Sequence, residues 1–123
     1  MKGVTVMTPN EYQNEAMKTA PESLRLGSRV NKDALTNAAL GLCGESGEFA
    51  DIMKKHIYQG HELDSDHLAK ELGDILWYVS LGAAGLGLSL ETIMRMNVNK
   101  LRKRYPEGHF DPEKSQHRED GDI

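Results

Sequence analysis

Cysteine is almost absent from this chain, and the single Cys43 excludes an intrachain disulfide and a cysteine-rich zinc site. A lone cysteine of this kind is usually a small core residue, so we expect Cys43 to be buried. No stretch approaches the roughly 18 apolar residues of a membrane span, and residues 1–10 lack the apolar region of a signal peptide. The sequence therefore predicts a soluble cytoplasmic protein with no membrane partner.

An excess of positive charge is also missing, since the formal net charge is −4. Residues 107–123 carry six carboxylates and two basic side chains, so the residues before them are neutral overall. Proteins that bind duplex nucleic acid normally present a basic face, so we expect no such partner. We predict one domain at residues 1–110 and an acidic, flexible C-terminal tail at residues 111–123.

Strand-like alternation is absent, and apolar residues instead recur at helical spacing. Thr8-Pro9-Asn10-Glu11 predicts the start of a first helix that ends near Thr19. The connection at residues 21–32 has room for a short helical turn. Caps and helix-breaking residues then predict three longer helices at about residues 33–56, 64–84 and 89–105. The expected fold is all-α, a bundle of four main helices.

Two acidic pairs with the same spacing stand out, Glu45 with Glu48 and Glu71 with Asp74. On a helix, residues three apart share a face, and each pair flanks an apolar stripe. If the second and third predicted helices pack antiparallel through these stripes, the four carboxylates face one another. They then form a site for Mg²⁺, or for Mn²⁺ as a substitute, because both ions prefer oxygen ligands. A solvated acidic surface is the other interpretation. The stripes are Leu35, Ala38, Leu42, Phe49 and Met53 in one helix and Leu68, Leu72, Ile75 and Val79 in the other.

Patterns typical of other catalytic sites are absent or weak. The chain has no Glu-x-x-His pair of the kind found in di-iron bundles, and it has no P-loop. His56, His61 and His67 lie in or near the loop between the acidic pairs. Zinc binding by these histidines and simple solvation are both open at this point.

A basic segment follows the third predicted helix. Asn97, Lys100 and Arg104 have the spacing of one helix face and could bind phosphate oxygens. Lys54, beyond the first acidic pair, could join them. Cations at the C-terminus of a helix also complement its dipole, which would explain this segment without any ligand.

Two aromatic residues, Trp77 and Tyr78, come shortly after the second acidic pair. Either ring could stack on a nucleobase and so bind substrate. Packing in an interface of the bundle, or of a dimer, is the alternative interpretation of the same residues.

Three segments in this order resemble the MazG-like nucleoside triphosphate pyrophosphohydrolases: Gly44-Glu45-Ser46-Gly47-Glu48, Glu71-Leu72-Gly73-Asp74 and Asn97–Pro106. The likeness covers roughly residues 35–110. It implies an all-α fold working as a homodimer or homotetramer, and Mg²⁺-dependent cleavage of ribo- or deoxyribonucleoside triphosphates to the monophosphate and pyrophosphate. The four carboxylates match the family's metal-binding positions. Gly44 is a departure, since many members have a further glutamate there, and this leaves the identity of the general base open.

The resemblance implies a mechanism in which Mg²⁺ bridges the carboxylates and the triphosphate and water attacks the α-phosphorus. Glu45 or Glu48 would orient or deprotonate the water, while Lys54, Lys100 and Arg104 would neutralise charge on the departing pyrophosphate. House-cleaning of the nucleotide pool is one biological role that fits. Two other functions stay open: a helical interaction module without catalytic activity, and a phosphohydrolase acting on another diphosphate such as phosphoribosyl-ATP.

Overall fold

This computed structural model describes residues 6–25 and 29–123. These residues form six helices joined by turns and loops, and they contain no strand. The all-α prediction is confirmed. The four predicted helices correspond to α1, α3, α4 and α5, while α2 lies in the connection where a helical turn was foreseen and α6 was not predicted. The helices are α1 (Pro9–Met17), α2 (Glu22–Arg25), α3 (Lys32–Gln59), α4 (Ser65–Gly85), α5 (Leu90–Arg104) and α6 (Pro112–Gln116).

Local capping explains where the main helices begin and end. The Thr8 hydroxyl accepts a hydrogen bond from the Glu11 N–H at 3.1 Å, as expected for the cap of α1. The Asp64 carboxylate caps α4 in the same way. Asn31 caps α3, so this helix begins slightly before the predicted Asp33. Gly60 ends α3 in the left-handed region, with φ of 73°, where a side chain would be strained.

The chain forms two compact units, residues 1–90 and residues 91–123. In the first unit, a small core of Ala20, Ala34, Ala38 and Leu81 is covered by partly buried larger side chains, including Trp77 and Tyr78. The second unit contains most of α5 together with α6. The sequence-based boundary at residue 110 and the mobility of the tail remain predictions.

Helices α3 and α4 form an antiparallel hairpin whose contact surface is lined by small residues. A Cβ placed on Gly82 would lie 3.5 Å from the Cβ of Ala38, and one on Gly85 would lie 3.1 Å from the Cβ of Ala34. At Gly41 a Cβ would overlap the ring of Tyr78. Because small side chains let two helices approach closely, residues farther along the same faces are also brought together.

The predicted apolar stripe of α4 is wrong in part. Leu72 is 53% exposed, and Leu76 one turn later is 42% exposed. The expectation that Cys43 is a buried core residue is also wrong, because its side chain is exposed. The physical reason is that α3 and α4 meet through alanines and glycines, which turns several larger apolar side chains outward.

Candidate active site

Three of the four predicted metal-binding carboxylates meet where α3 and α4 pack against each other. Glu45, Glu71 and Asp74 each offer an oxygen, and these oxygens lie within 4.8 Å of one another. Glu71 is 6% exposed, Glu45 is half-buried and Asp74 is exposed. The cluster therefore lies at the contact between the two helices, with Glu71 buried in it, and is not merely a solvated surface.

Two oxygens of this three-carboxylate cluster lack the partners that buried polar atoms normally have. Oε2 of Glu45 and Oε2 of Glu71 are buried, and neither has a hydrogen-bond partner among the described residues. A buried unpaired carboxylate oxygen is costly, because it has lost its water without gaining a donor. A cation or a proton is needed at this position.

The cluster strongly changes the acidity of Glu45. A hydrogen bond shared with Glu71, then burial, and then the negative charges of Glu48, Asp74 and Glu71 raise the pKa of Glu45 from 4.5 to about 7. Each of these causes disfavours the ionised form. A bound divalent cation would reverse this effect, since it attracts the same negative charges that otherwise repel one another.

Helix α1 lies beside one edge of the cluster. The Tyr12 hydroxyl donates a hydrogen bond to the backbone carbonyl of Gly73 at 3.4 Å. Burial, and then the nearby charge of Asp74, raise the pKa of the Tyr12 phenol. Tyr12 therefore stays protonated beside the carboxylates, a feature that the sequence did not indicate.

One histidine is in direct contact with the cluster. His67, in the first turn of α4, has its Nε2 3.1 Å from Oε1 of Glu71, so the ring is placed to hold that carboxylate in position. The other two loop histidines do not join it. Nδ1 of His56 contacts the backbone carbonyl of His61 at 2.8 Å. No histidine takes part in a metal-binding group anywhere in the described ranges.

A groove of about 780 Å³ opens beside the cluster, between α3 and the start of α4. Glu48 lies here and not among the three clustered carboxylates, although its charge acts on Glu45. Asp51 also lines the groove, since spacing of three and four residues puts it on the same helix face as Glu48 and Lys55. The groove is lined by Gly44, Gly47, Glu48, Asp51, Ile52, Lys55, His61, Glu62, Asp64, His67 and Glu71.

Asp51 holds two lysines at the edge of this groove. Its carboxylate pairs with Lys54 at 3.2 Å and with Lys55 at 2.8 Å. Hydrogen bonds with Lys55 and then Lys54 lower the pKa of Asp51. Lys55, which was not selected as a site residue from the sequence, lines the groove, whereas the predicted Lys54 does not.

Trp77 and Tyr78 pack against protein atoms in the first unit. The Trp77 indole N–H donates to the Ala16 carbonyl at 3.1 Å and to the Thr19 hydroxyl at 2.8 Å. The Tyr78 ring lies over Gly41, and the two aromatic rings form an edge-to-face pair with centroids 4.9 Å apart. These contacts support the packing interpretation. Base stacking by either ring stays an untested prediction.

The predicted phosphate-binding residues of α5 belong to the second unit. Asn97 and Lys100 are exposed. Arg104 is engaged by Asp122 through two hydrogen bonds, Nε to Oδ2 at 2.8 Å and Nη2 to Oδ1 at 2.7 Å. The substrate-binding roles of these three residues stay predictions.

The three-carboxylate cluster fits a small divalent cation. Its donors are all hard oxygens, as Mg²⁺ and Mn²⁺ require. The three donor oxygens lie within 4.8 Å of one another, so these side chains would hold such an ion after adjusting their positions. The two buried oxygens without partners supply the reason for such binding.

No single helix within the described residues is long and apolar enough to cross a membrane. Only α4 and α5 taken together, as a bent pair, reach the required length and composition.

Comparisons with known proteins agree with the geometry of the site. The MazG nucleotide pyrophosphohydrolase domain matches residues 34–109, which include all four predicted metal-binding carboxylates. The Gene 37 protein of Mycobacterium phage L5 is 36% identical over 80 residues, which cover 62% of this chain and 70% of that protein. The comparison with solved structures found no match. The resemblance expected from the sequence is therefore confirmed, and the chain belongs to the MazG nucleotide pyrophosphohydrolase domain family.

Proposed function

We propose that this protein is a Mg²⁺-dependent nucleoside triphosphate pyrophosphohydrolase that converts a ribo- or deoxyribonucleoside triphosphate to the monophosphate and pyrophosphate. One observation carries the proposal: Glu45, Glu71 and Asp74 converge in a member of this family, with two buried oxygens that lack partners. Such an arrangement is unfavourable unless a proton or a cation is bound, and a bound cation would serve the proposed reaction.

Glu45, Glu71 and Asp74 are the residues we assign to hold the ion. When bound, Mg²⁺ would polarise the phosphoryl oxygens and make water a better nucleophile. Glu71 is the most buried of the three and is held by His67, so it anchors the site. Asp74 is exposed and can adjust its side chain as the triphosphate binds.

Glu48 is the residue we assign as general base. It lies in the groove next to the cluster, and its exposed carboxylate is not among the three that converge. Glu45 is the alternative, but its carboxylate belongs to the three-carboxylate cluster and interacts with Glu71. In the proposed step, the oxygen of water bonds to the α-phosphorus while Glu48 takes the proton from the water. The bond from the α-phosphorus to the bridging oxygen breaks, and pyrophosphate leaves with the electron pair.

Cationic side chains are needed to bind the triphosphate and to neutralise the leaving group. Lys54, Lys100 and Arg104 remain our candidates, and Lys55 joins them because it lines the groove. We assign the base of the nucleotide to the groove and not to Trp77, since that ring already packs against Tyr78 and its indole N–H is held by Ala16 and Thr19. House-cleaning of the cytoplasmic nucleotide pool, by a homodimer or homotetramer, is the role we propose.

The test is pyrophosphate release from a panel of standard and modified nucleoside triphosphates, with Mg²⁺ and with EDTA. We expect release only with Mg²⁺, in equal amount to the monophosphate. Glu48→Gln and Asp74→Asn should each lower kcat about 100-fold or more. Asp66→Asn is the matched control, because Asp66 is an exposed α4 carboxylate whose ion pair is with Lys70.

Unchanged Mg²⁺-dependent turnover in Glu48→Gln and Asp74→Asn would contradict the proposal. No turnover across the panel, with Mg²⁺ still bound, would indicate another diphosphate such as phosphoribosyl-ATP as substrate. No turnover and no metal binding would favour a non-enzymatic interaction module.

A further inference from the structure

The second unit contains a cavity of about 520 Å³, bounded by α5 and by the segment that follows α6. Its walls carry five cationic side chains against three carboxylates, so the lining has an excess of positive charge. The charged residues are Lys100, Lys103, Arg104, Lys114, Arg118, Glu119, Asp120 and Asp122.

One carboxylate in this cavity is held much more firmly than the others. Asp122 accepts two hydrogen bonds from the Arg104 guanidinium, at 2.8 and 2.7 Å, in the paired geometry that arginine also uses to bind phosphate. The Arg104 and Asp122 side chains are only 11% and 13% exposed. This pair is therefore largely shielded from water, unlike the exposed lysine pairs of Asp51 and Asp66.

Further cations act on the same carboxylate. Hydrogen bonding to Arg104, and then the charges of Arg104, Arg118 and Lys100, lower the pKa of Asp122. Lys100, Lys103, Lys114 and Arg118 form no ion pair with any carboxylate in the part of the chain that the structure describes. Asp122 is thus surrounded by cations that could neutralise a more highly charged group.

The position of Asp122 is set by a tight turn. Its backbone N–H donates to the Glu119 carbonyl at 3.1 Å. Gly121 in this turn has φ of 87°, a conformation that favours glycine. Arg118 and Asp122 lie beyond residue 109, where the family match ends, whereas Lys100 and Arg104 lie within the matched residues.

We propose that Lys100, Arg104 and Arg118 form a binding site for a polyphosphate group, and that Asp122 is an internal competitor which a polyphosphate must displace. The ligand we name is the phosphate chain of the nucleotide substrate, and this identification rests on the proposed function. A polyphosphate carries several negative charges where Asp122 carries one, so it can engage the unpaired cations in addition to Arg104.

The experiment is calorimetric titration of pyrophosphate into the full chain in EDTA, where neither hydrolysis nor metal binding contributes. Asp122→Asn should bind pyrophosphate about tenfold more tightly than the native chain, because the competing charge is gone. Asp120→Asn is the matched control, because this substitution removes the same charge from the lining of the same cavity. Unlike Asp122, Asp120 forms no ion pair with a described residue. We expect its affinity to change less than about twofold, as for an exposed unpaired charge.

Two further variants test whether tighter binding comes from removing Asp122 from the cations and not from a general change in folding. Gly121→Ala keeps every charge and strains the turn that holds Asp122, so it should also tighten pyrophosphate binding. Arg118→Gln added to Asp122→Asn should remove the gain. Unchanged affinity in both Asp122→Asn and Gly121→Ala would overturn the proposal. Equal tightening by Asp120→Asn would do so too, because net charge would then explain the effect.

Steady-state kinetics connect this site to catalysis. If both proposals are correct, Asp122→Asn lowers the KM for the nucleotide. Tighter pyrophosphate binding by Asp122→Asn, with no turnover in any variant, would support the phosphate site and reject the proposed function. Turnover in the native chain, with pyrophosphate affinity unaffected by Asp122→Asn and Gly121→Ala, would reject the competitor and leave the function standing.

Discussion

Glu45 shows how strongly the surroundings of one residue can alter its chemistry. In the unfolded chain its carboxyl group has its ordinary acidity, whereas in the folded protein its pKa is raised to about 7 by Glu71, by burial and by the neighbouring charges. The folded state thus binds a proton more tightly than the unfolded state between pH 4.5 and about 7. Across this range, deprotonation works against folding unless a cation replaces the proton.

We therefore predict that the metal-free protein becomes less stable as pH rises from 4.5 to 7. The stabilising effect of the proton is fully present below pH 4.5 and is lost as pH rises through the folded-state pKa. The free energy of unfolding in urea, measured in EDTA at pH 5 and pH 7.5, tests this. Glu45→Gln should flatten the difference, and Mg²⁺ should stabilise the native chain more at pH 7.5. A Glu45→Gln protein with the native pH dependence would show that Glu45 is not responsible.

His67 is the other residue whose role can be isolated. Its ring contacts one oxygen of Glu71, and the second oxygen is buried without a partner, so it is free to bind a metal ion. Loss of such a supporting hydrogen bond typically weakens metal binding about 10- to 100-fold, so His67→Ala should bind Mn²⁺ more weakly by about that factor. His67→Gln keeps a donor and should recover part of the affinity. Calorimetry with Mn²⁺ measures both variants.

His61→Ala is the control for that prediction. His61 lines the same groove, but its contact with His56 uses its backbone carbonyl, which alanine retains. We expect Mn²⁺ affinity close to native. If His67→Ala also binds Mn²⁺ as the native chain does, His67 does not position Glu71.

At the scale of helices, the spacing between α3 and α4 decides whether a cation can be bound. The two helices touch at Gly41 and Tyr78, which lie one turn from Glu45 and Asp74 along each helix. A side chain at Gly41 would force the helices apart, and the carboxylates would separate with them. The lack of a side chain at Gly41 is thus needed both for the packing of α3 against α4 and for the convergence of the three carboxylates.

Gly41→Ala should therefore destabilise the protein and weaken Mn²⁺ binding together. Alanine improves helix propensity by about 1 kcal/mol, but the overlap with Tyr78 costs about 1–3 kcal/mol, so we expect a net loss of stability. Gly44→Ala is the matched control on the same helix, since a Cβ there meets nothing within 4 Å. It should raise stability by about 0.5–1 kcal/mol. Urea unfolding and Mn²⁺ titration check both variants. A Gly41→Ala protein as stable as Gly44→Ala would contradict the close contact.

At the scale of the whole molecule, the distribution of apolar surface favours self-association. Leu40 is 70% exposed on α3, while Leu72 and Leu76 are also exposed on α4. A chain of 123 residues with so small an alanine-rich core gains stability by covering such side chains. This agrees with the homodimer or homotetramer that the family resemblance implies.

We predict that sedimentation analysis finds a homo-oligomer, and that Leu40→Lys combined with Leu76→Lys shifts it toward monomer. Each buried leucine contributes about 1.5–3 kcal/mol to such an interface, and a lysine there adds an unpaired charge. Leu63→Lys with Leu86→Lys is the matched control, because these exposed leucines lie outside the two long helices. A native chain that sediments as a monomer would contradict this prediction. So would equal dissociation by the two double variants.

Helix positions and the family of this chain could be predicted from sequence, because the responsible interactions are local. Thr8, Asp64 and Gly60 act on backbone groups within a few residues, so the ends of α1, α3 and α4 were anticipated to within a few positions. The two acidic pairs and the basic segment were similarly visible as spacing along a helix. By contrast α6, only five residues long, carries too little apolar periodicity to be recognised.

The sequence by itself determined that carboxylates would line two neighbouring helices, but the tertiary structure decided which of them meet. The spacing of apolar residues shows which face of a single helix is most apolar. The face that packs against the neighbouring helix depends instead on which two surfaces fit closely. Here alanine and glycine form the contact, so Glu45, Glu71 and Asp74 converge while Glu48 lies in the groove and Leu72 faces outward. Arg104 and Asp122 are 18 residues apart in sequence, and their pairing could not be read from spacing because only the folded chain brings these charges together.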